Sequence, residues 1–207
     1  MNVIVRFDDG KLTLLAESEA EREQLQVWAA AATDRLFALG NASADTLAFG
    51  DAGAVADVRR LPINITFDHT PMPLQLISNL AEAPFVLDGR RFTSIEGFWQ
   101  GLKFADEAKR SAIAALAGHP AKSAGHKAAA RDVITYAGRD IRVGTIDHWA
   151  LMERACAAKF EQCEPARVAL LSTGTRPLEH RVPTDSRTIP GVIMADIWMR
   201  LRSRLLP

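Results

Sequence analysis

One short segment, residues 93–104, constrains the fold more than any other part of the chain. Its sequence, TSIEGFWQGLKF, places polar side chains at Glu96, Gln100 and Lys103. Residues spaced i, i+4 and i+7 lie on one face of a helix. The residues on the opposite, apolar face are Ile95, Phe98, Trp99 and Leu102. The pattern predicts a helix packed on a core, with a carboxylate, an amide and an amine in one row suited to line a small-molecule pocket.

Prolines divide the chain into two segments. Pro71 and Pro73 separate residues 1–70 from residues 71–207. The first segment is predicted to form a small α+β appendage, and it contains no cluster of residues typical of a catalytic site. The second reads as a mainly helical domain with a few short strands, so the fold class predicted for the chain is α+β.

Local patterns in the first segment predict strands and one helix. Asp9–Gly10 is a turn pair typical of a tight hairpin, and Ser18 with Glu21 is a capping-box signal. The helix that follows is expected to continue through Leu36 and to end at Gly40–Asn41. The predicted strands are Val3–Phe7, Lys11–Leu15, Thr46–Gly50 and Ile63–Phe67.

In the second segment, a hairpin is expected to turn at Asp88–Gly89. Thr93 or Ser94 caps the polar-faced helix, which we expect to reach about Ala108. Further helices are predicted at 109–117, 121–133, 147–163 and 165–172, followed by a final helix with an apolar stripe of Ile193, Ile197, Trp198, Leu201 and Leu205.

Charge and cysteine content exclude several classes of function. Lysine plus arginine equals aspartate plus glutamate at 25 each, so no global attraction to nucleic acid or to acidic membranes is expected. We expect neither a membrane span nor a secretion signal. Cys156 and Cys163, seven residues apart in one predicted helix, are too distant for a disulfide and suit a reducing cytoplasm. The five histidines have no metal-ligand spacing, which argues against a metal site.

Residues 94–104 match the pattern S-x-E-H-x-x-Q-x-x-K-F apart from a glycine in place of the histidine. This pattern is that of the NADAR domain family, whose best-known members are the YbiA-like N-glycosidases, and the chain resembles that family. The similarity begins at 77–80, continues through 83–92, and returns at 152–160 and 170–180. It implies a YbiA-like domain over the second segment, preceded by the extra appendage.

The resemblance implies a hydrolase that cleaves the N-glycosidic bond of a ribose-phosphate or ADP-ribose conjugate. A riboflavin-pathway intermediate and ADP-ribosylated guanine are the substrates it suggests. No metal or redox cofactor is implied, and nucleic acid enters only as a modified substrate. The residues carried over are Glu96, Lys103 and Asp185 as catalytic groups, and Gln100, Trp99, Asn79, Arg139 and Trp149 as substrate-binding groups.

Each role of the polar row has an alternative. Glu96 would stabilise an oxocarbenium-like transition state or activate water, or it forms a capping box with Thr93. Lys103 would bind a phosphate or attack the anomeric carbon as an amine, or it is a surface charge. Gln100 would bind a ribose hydroxyl, or it is a buried amide that holds Glu96.

Outside this row, the resemblance weakens. Asp185 matches a family aspartate, but a capping or turn role explains it equally well. Trp99 and Trp149 would stack on a base or fill the core, and Arg139 would bind phosphate. The family's histidine is Gly97 here, its tryptophan is missing near Gly144, and its W-G-x-G loop is replaced by residues 184–191. These departures support a second hypothesis, a non-catalytic nucleotide-binding or protein-interaction module with a degenerate site.

Overall fold

The computed structural model describes residues 3–8, 11–32, 35–42, 47–54, 60–128 and 131–206. The chain separates into two compact units, Met1–Leu61 and Pro62–Pro207. No helix in the described ranges is both long enough and apolar enough to cross a lipid bilayer.

The first unit contains two antiparallel hairpins and one helix. Its elements are β1 (Val3–Asp8), β2 (Lys11–Ala16), α1 (Glu19–Ala32), β3 (Arg35–Ala42) and β4 (Leu47–Ala54). The capping box is confirmed, because the Glu21 carboxylate accepts from the Ser18 amide at 3.1 Å and the Ser18 hydroxyl accepts from the Glu21 amide at 3.3 Å. The predicted turn at Asp9–Gly10 lies outside the described residues.

The prediction that the first helix extends to Leu36 is wrong. α1 ends at Ala32, and Leu36 lies in β3, which pairs with β4 in an antiparallel ladder. Because the strand partner of Leu36 is Gly53, 17 residues further along the chain, pairing with β4 overrides the local helical spacing.

The second unit surrounds its core with helices and adds three two-stranded pairs. Its elements are β5 (Ile63–Asn64), a 3₁₀ helix (Leu74–Ile77), β6 (Phe85–Leu87), β7 (Arg90–Phe92), α2 (Ile95–Leu102), α3 (Glu107–Ala114), α4 (Gly118–His126), β8 (Val133–Tyr136), β9 (Arg139–Arg142), α5 (Ile146–Gln162), α6 (Glu164–Ser172), β10 (Leu178–Glu179) and α7 (Gly191–Leu205). β5 pairs in parallel with β10, whereas β6–β7 and β8–β9 are antiparallel hairpins.

The β6–β7 hairpin turns as predicted. Asp88 and Gly89 have φ values of 49° and 79°, and two successive positive φ angles are what a type I′ turn requires. The β8–β9 hairpin turns in the same way at Ala137 and Gly138, with φ values of 49° and 75°. The prediction of a helix through residue 133 is therefore wrong at its end, because β8 begins there.

The polar-faced helix is also shorter than predicted. α2 ends at Leu102, and a separate helix, α3, begins at Glu107. The new start is fixed by Asp106, whose carboxylate accepts from the Lys109 amide at 2.8 Å. This N-cap stabilises a second helix instead of a continuation of the first.

An aromatic cluster fixes the apolar face of α2. Phe98 is 1% exposed and contacts Phe92 and Tyr136 edge to face, with ring centroids 5.1 and 5.8 Å apart. Phe85 completes the cluster by stacking on Phe92. Burial of a phenylalanine contributes about 2–3 kcal/mol, so this cluster determines which face of α2 is left for the polar row.

The final helix buries the centre of its predicted stripe and, beside it, one arginine. Ile197, Trp198 and Leu201 are buried in the core. Arg202, which lies outside that stripe, is also buried, and it donates to the Thr173 hydroxyl and the Arg176 carbonyl at 2.8 Å each. These acceptors satisfy the guanidinium away from water.

Candidate functional site

The second unit contains a cleft of about 850 Å³. One side, here called the helix wall, is formed by α2 and Asn79. A second side, the loop wall, is formed by the loop of residues 182–189, of which all but Arg187 line the cleft. Six predicted site residues line the cleft: Asn79, Glu96, Trp99, Gln100, Lys103 and Asp185. The structure therefore brings most of the predicted site into one concave surface.

The start of α2 is capped by Ser94. The Ser94 hydroxyl accepts from the Gly97 amide at 2.9 Å and donates to the Leu116 carbonyl at 2.9 Å. The Thr93 amide donates instead to the Ala114 carbonyl at 2.8 Å. The capping box between Thr93 and Glu96 is therefore absent from this part of the chain, and the Glu96 carboxylate is available to the cleft.

Glu96 and Gln100 form the centre of the helix wall. Both are buried, and the Gln100 Nε2 donates to the Glu96 Oε1 at 2.6 Å. The Glu96 backbone amide donates to the Asn79 carbonyl at 2.8 Å, which ties the helix to the segment before β6. This arrangement agrees with the expectation that Gln100 holds Glu96.

Two oxygen atoms of the helix wall are buried acceptors without a donor. Gln100 Oε1 and Asn79 Oδ1 have no hydrogen-bond partner among the described residues. The Gln100 side chain packs over Gly125, where a Cβ atom would lie only 1.6 Å from Oε1, so the amide has little room to turn. Because a buried acceptor without a donor costs about 1–3 kcal/mol, these oxygens favour a ligand that supplies N–H or O–H groups.

Lys103 is the half-buried amine at the end of the row. Its Nζ lies 5.8 Å from the centroid of the Trp99 ring and forms neither a hydrogen bond nor an ion pair with any described residue. Burial lowers the pKa of Lys103 below its usual value, and the negative charge of Glu96 offsets part of that effect. A lowered pKa raises the fraction of neutral amine, which is the nucleophilic form.

Trp99 is supported from behind by a neutral histidine. The ring centroids of Trp99 and His148 are 4.4 Å apart. His148 is 1% exposed, and burial lowers its pKa to about 4, offset only in part by a weak contact with the Thr188 carbonyl. Its Nδ1 accepts from the Gly144 amide at 3.2 Å. The imidazole is thus a packing support for Trp99 and does not line the cleft.

The polar side chains of the loop wall accept hydrogen bonds from nearby backbone amides. The Asp185 Oδ1 accepts from the Ser186 amide at 2.8 Å and from the Gly191 amide, the first residue of α7, at 2.9 Å. Asp185 therefore lines the cleft while holding the start of α7, as the capping alternative expected. Its side chain is exposed, in contrast to the buried Glu96.

Two predicted substrate-binding residues lie outside the cleft lining. Trp149 donates its indole N–H to the Thr188 carbonyl at 2.9 Å and so anchors the loop wall from the first turn of α5. Arg139 is exposed at the start of β9. Neither residue is among those that line the cleft.

The glycine at position 97 reflects tight packing. A Cβ atom there would lie 2.6 Å from the Leu116 carbonyl oxygen and 2.9 Å from that of Ile113. Both are backbone atoms at the end of α3, which packs against α2 at this point. The histidine of the NADAR pattern therefore has no space at this position in this chain.

The sequence pattern gave no role to Lys159, which is fully buried in α5. Its Nζ donates to the carbonyls of Ile77 and Ser78 at 3.1 and 2.8 Å. Burial lowers its pKa to about 8. Because these carbonyls immediately precede Asn79, Lys159 fixes the backbone from which the helix wall is built. The sequence signal for its burial is its position at helical spacing behind Met152, Ala155 and Cys156, on the apolar face of α5.

Comparisons with known proteins agree with this fold. The family model described as bacteriophage protein GP30.3 matches residues 72–196, more than half of the chain. A comparison with curated proteins gives no match. The NMR structure of the E. coli protein YbiA is similar, with a TM-score of 0.53 and 24% identity, over 70% of this chain and 84% of that one. This likeness confirms the predicted α+β, YbiA-like fold. The chain belongs to the family of bacteriophage protein GP30.3.

Proposed function

We propose that this protein is an N-glycosidase of the NADAR type that hydrolyses the bond between ribose and a base nitrogen in a ribose-phosphate or ADP-ribose conjugate. The observation that carries the proposal is the buried Glu96 carboxylate, held at 2.6 Å by Gln100 in a cleft of about 850 Å³ that Lys103 also lines. A fold shared with YbiA is compatible with it.

In the reaction, the C1′–N bond breaks and its electron pair leaves with the base nitrogen, which takes up a proton. Positive charge develops on C1′ and the ring oxygen, and a carboxylate beside them stabilises that charge. Glu96 lies in the first turn of α2, where the positive end of the helix dipole favours the ionised form. The same carboxylate accepts a proton from the water that adds to C1′, then releases it to solvent, which supplies the proton taken up by the base, so the net reaction is hydrolysis.

Lys103 offers a covalent route to the same products. Its neutral amine attacks C1′, the base leaves, and the ring-opened sugar remains as an imine that water then hydrolyses to free the sugar and the amine. The lowered pKa of Lys103 supports this route. Reduction with borohydride during turnover distinguishes the two routes, because only an imine is trapped as a stable mass increase on Lys103.

The rest of the helix wall suits a ribose. Gln100 Oε1 and Asn79 Oδ1 are acceptors that lack donors among the described residues, and ribose presents two adjacent hydroxyl groups. Trp99 has a ring half-exposed to the cleft and backed by His148, which suits stacking against a sugar or a base.

The test is an assay of the purified full chain with an ADP-ribosylated guanine nucleotide and with the ribosylamino intermediate of riboflavin synthesis. We expect one substrate to yield free base and free sugar phosphate. The matched variant is Glu96→Gln, which keeps the shape but loses the charge, and we expect a decrease in turnover of about 100-fold or more. Absence of product from both substrates, or full activity in Glu96→Gln, would contradict the proposal.

The second candidate is a non-catalytic module that binds the same ligands. The observation in its favour is that Asp185, the second predicted carboxylate, is engaged by two backbone amides. Calorimetry with ADP-ribose separates the candidates: tight binding without turnover of any conjugate supports the module, whereas turnover that depends on Glu96 supports the enzyme.

A further inference from the structure

The cleft is also lined by a histidine to which the reaction above gives no role. His180 is half-buried and directly follows β10. The parallel pairing of β5 with β10 continues up to it, because the Ile65 amide donates to the Glu179 carbonyl at 2.9 Å. On its other side, the Arg181 amide donates to the Asn64 Oδ1 at 2.7 Å. The backbone is therefore held in place both before and after His180.

One nitrogen of the His180 ring is engaged by the backbone. Nδ1 lies 2.7 Å from the Ile65 carbonyl oxygen, and because a carbonyl only accepts, Nδ1 carries the hydrogen. In the neutral ring Nε2 then holds a lone pair, whereas in the protonated ring Nε2 carries a second N–H. The bond to Ile65 is the same in both forms. His180 can therefore gain and lose a proton at Nε2 without turning.

The other nitrogen of the ring is open to the cleft. Nε2 has no hydrogen-bond partner among the described residues, and the protein does not enclose it. The ring packs edge to face on Trp198, with centroids 5.5 Å apart, while Nδ1 faces Ile65. Asn64 and Thr66, on either side of Ile65 in the chain, both line the cleft. Nε2 is thus the polar atom that His180 presents to a ligand.

A single face of α7 connects His180 to the helix wall. The His180 carbonyl lies against Gly191, where a Cβ atom would be 2.0 Å from its oxygen, and the His180 ring lies against Trp198. Gly191, Met194 and Trp198 are spaced i, i+3 and i+7 and share one face of α7. Met194 lines the cleft, and its Sδ accepts from the Asn79 Nδ2 at 3.5 Å. His180 and the helix wall therefore pack on the same face of one helix.

We propose that His180 is the proton donor to the leaving base, a further catalytic residue of the N-glycosidase on whose proposed activity this inference rests. A base nitrogen that leaves with an electron pair needs a proton. Glu96, which is held ionised at the start of α2, accepts protons instead of supplying them. His180 combines a fixed ring with a free Nε2, which is what a positioned general acid requires.

The proton and electron balance of this step is closed. As the C1′–N bond breaks, its electron pair forms a new bond between the base nitrogen and the Nε2 proton of protonated His180. Water adds to C1′ and gives its proton to Glu96, which releases it to solvent. Neutral His180 takes up one proton from solvent and is ready for the next turnover. The proton that the base receives from solvent in the net reaction thus passes through Nε2.

The test measures kcat and KM of the full chain for whichever of the two conjugates it hydrolyses. His180→Asn retains an amide N–H to donate to the Ile65 carbonyl but cannot be protonated near neutral pH. We expect kcat to fall by about 100-fold or more with little change in KM. The matched control is His126→Asn, because His126 is an exposed histidine that also lines the cleft, without a side-chain hydrogen bond to any described residue. The control should keep the parent kcat, and circular dichroism checks that both variants are folded.

Chemical rescue separates proton donation from a structural role. His180→Ala opens a space that a small ring can enter, so added imidazole should raise kcat in proportion to its concentration. Pyrazole has the same ring size but stays unprotonated near neutral pH, so it should not restore turnover. Neither compound should restore Glu96→Gln.

Three results would overturn the assignment of His180: parent kcat in His180→Asn, an equal loss in His126→Asn, or an imidazole effect on His180→Ala no larger than that of pyrazole. Failure of the glycosidase proposal gives a different result, because the parent protein then releases no base from either conjugate, and the assignment fails with it. Turnover that is lost in Glu96→Gln but retained in the His180 variants refutes the assignment alone.

Discussion

The helix wall and the loop wall of the cleft use similar polar residues for different purposes. In the helix wall, Glu96 and Gln100 are buried and bond to each other, and Gln100 Oε1 has no donor in the part of the chain that the structure describes. In the loop wall, Asp185 is exposed, and one of its carboxylate oxygens accepts from backbone amides at Ser186 and at the start of α7. Each carboxylate has one oxygen in these hydrogen bonds, but the partner of Glu96 is a side chain that lines the cleft, whereas the partners of Asp185 are backbone amides that position the loop and the start of α7.

The two walls also differ in how they are anchored. Behind the helix wall are fully buried groups, the Phe98 ring cluster and the Lys159 ammonium. Behind the loop wall is the indole N–H of Trp149 on the Thr188 carbonyl. We therefore expect changes behind the helix wall to cost more stability, and changes behind the loop wall to alter substrate affinity with little loss of stability.

The largest effect should come from Lys159, through its titration. Its pKa in the folded protein is about 8, against an ordinary value of 10.5. Between these values the unfolded chain binds more protons than the folded one, so stability rises with pH across that window. Across the whole window, the free energy of unfolding should rise by about 3 kcal/mol because of this lysine. Urea unfolding at several pH values measures it as the difference between the parent protein and Lys159→Met.

This measurement must be made in a variant that lacks Cys156, because the thiol of Cys156 also titrates. Burial raises the pKa of that thiol to about 12 from 9.0, so the folded chain binds the extra proton there and stability falls with rising pH, the opposite sign. In a Cys156→Ala background we expect the rise above pH 8 to disappear when Lys159 becomes Met. A rise of unchanged size in Lys159→Met would show that this lysine is not the group responsible.

The next effect concerns Gly97, behind the helix wall. A Cβ atom added there would lie 2.6 and 2.9 Å from two backbone oxygens. Backbone atoms cannot move aside as the end of a flexible side chain could. We expect Gly97→Ala to lower the free energy of unfolding by about 1–3 kcal/mol. The control is Gly101→Ala on the same helix, where the nearest atom is 3.4 Å away; it should be close to neutral. Helix propensity favours alanine at both positions, so equal losses in the two variants would mean that the close contacts at Gly97 do not decide the result.

Sequence patterns predicted the elements whose signals are local. The Asp88–Gly89 turn identified the β6–β7 hairpin, and the spacing of Glu96, Gln100 and Lys103 identified one face of α2. The β8–β9 hairpin was missed because its turn places Ala137 at a positive φ, which alanine rarely adopts and therefore does not signal.

The parts of the site that depend on distant residues could not be predicted. Trp149 contacts Thr188, 39 residues away, and Lys159 contacts Ile77, 82 residues away. Either contact follows only from the packed fold. The same holds for the buried acceptor of Gln100, because its lack of a donor depends on Gly125 from another helix. Residue types and spacing therefore identified the chemical groups, while their partners required the structure.

A smaller effect is expected for Asp185, in the loop wall. Asp185→Ala removes the acceptor for two amides and should lower stability by about 1 kcal/mol. Asp185→Asn retains that acceptor and should stay near the parent in both stability and turnover. Thermal unfolding and the glycosidase assay measure the two quantities on the same samples. If Asp185→Asn lost as much turnover as Glu96→Gln, the loop wall would take part in the chemistry and the contrast between the walls would fail.

The smallest effect on stability should come from Trp149. Trp149→Phe keeps the ring but removes the donor to the Thr188 carbonyl, which lies in a half-buried position and gains water instead. The expected loss is about 1 kcal/mol. Because that bond anchors the loop wall, KM should rise while kcat changes little, and amide hydrogen exchange should accelerate at Ile189, whose N–H donates to Ser186 in the same loop. A fall in kcat with KM unchanged would mean instead that the loop wall acts in the transition state, since only interactions formed there change kcat alone.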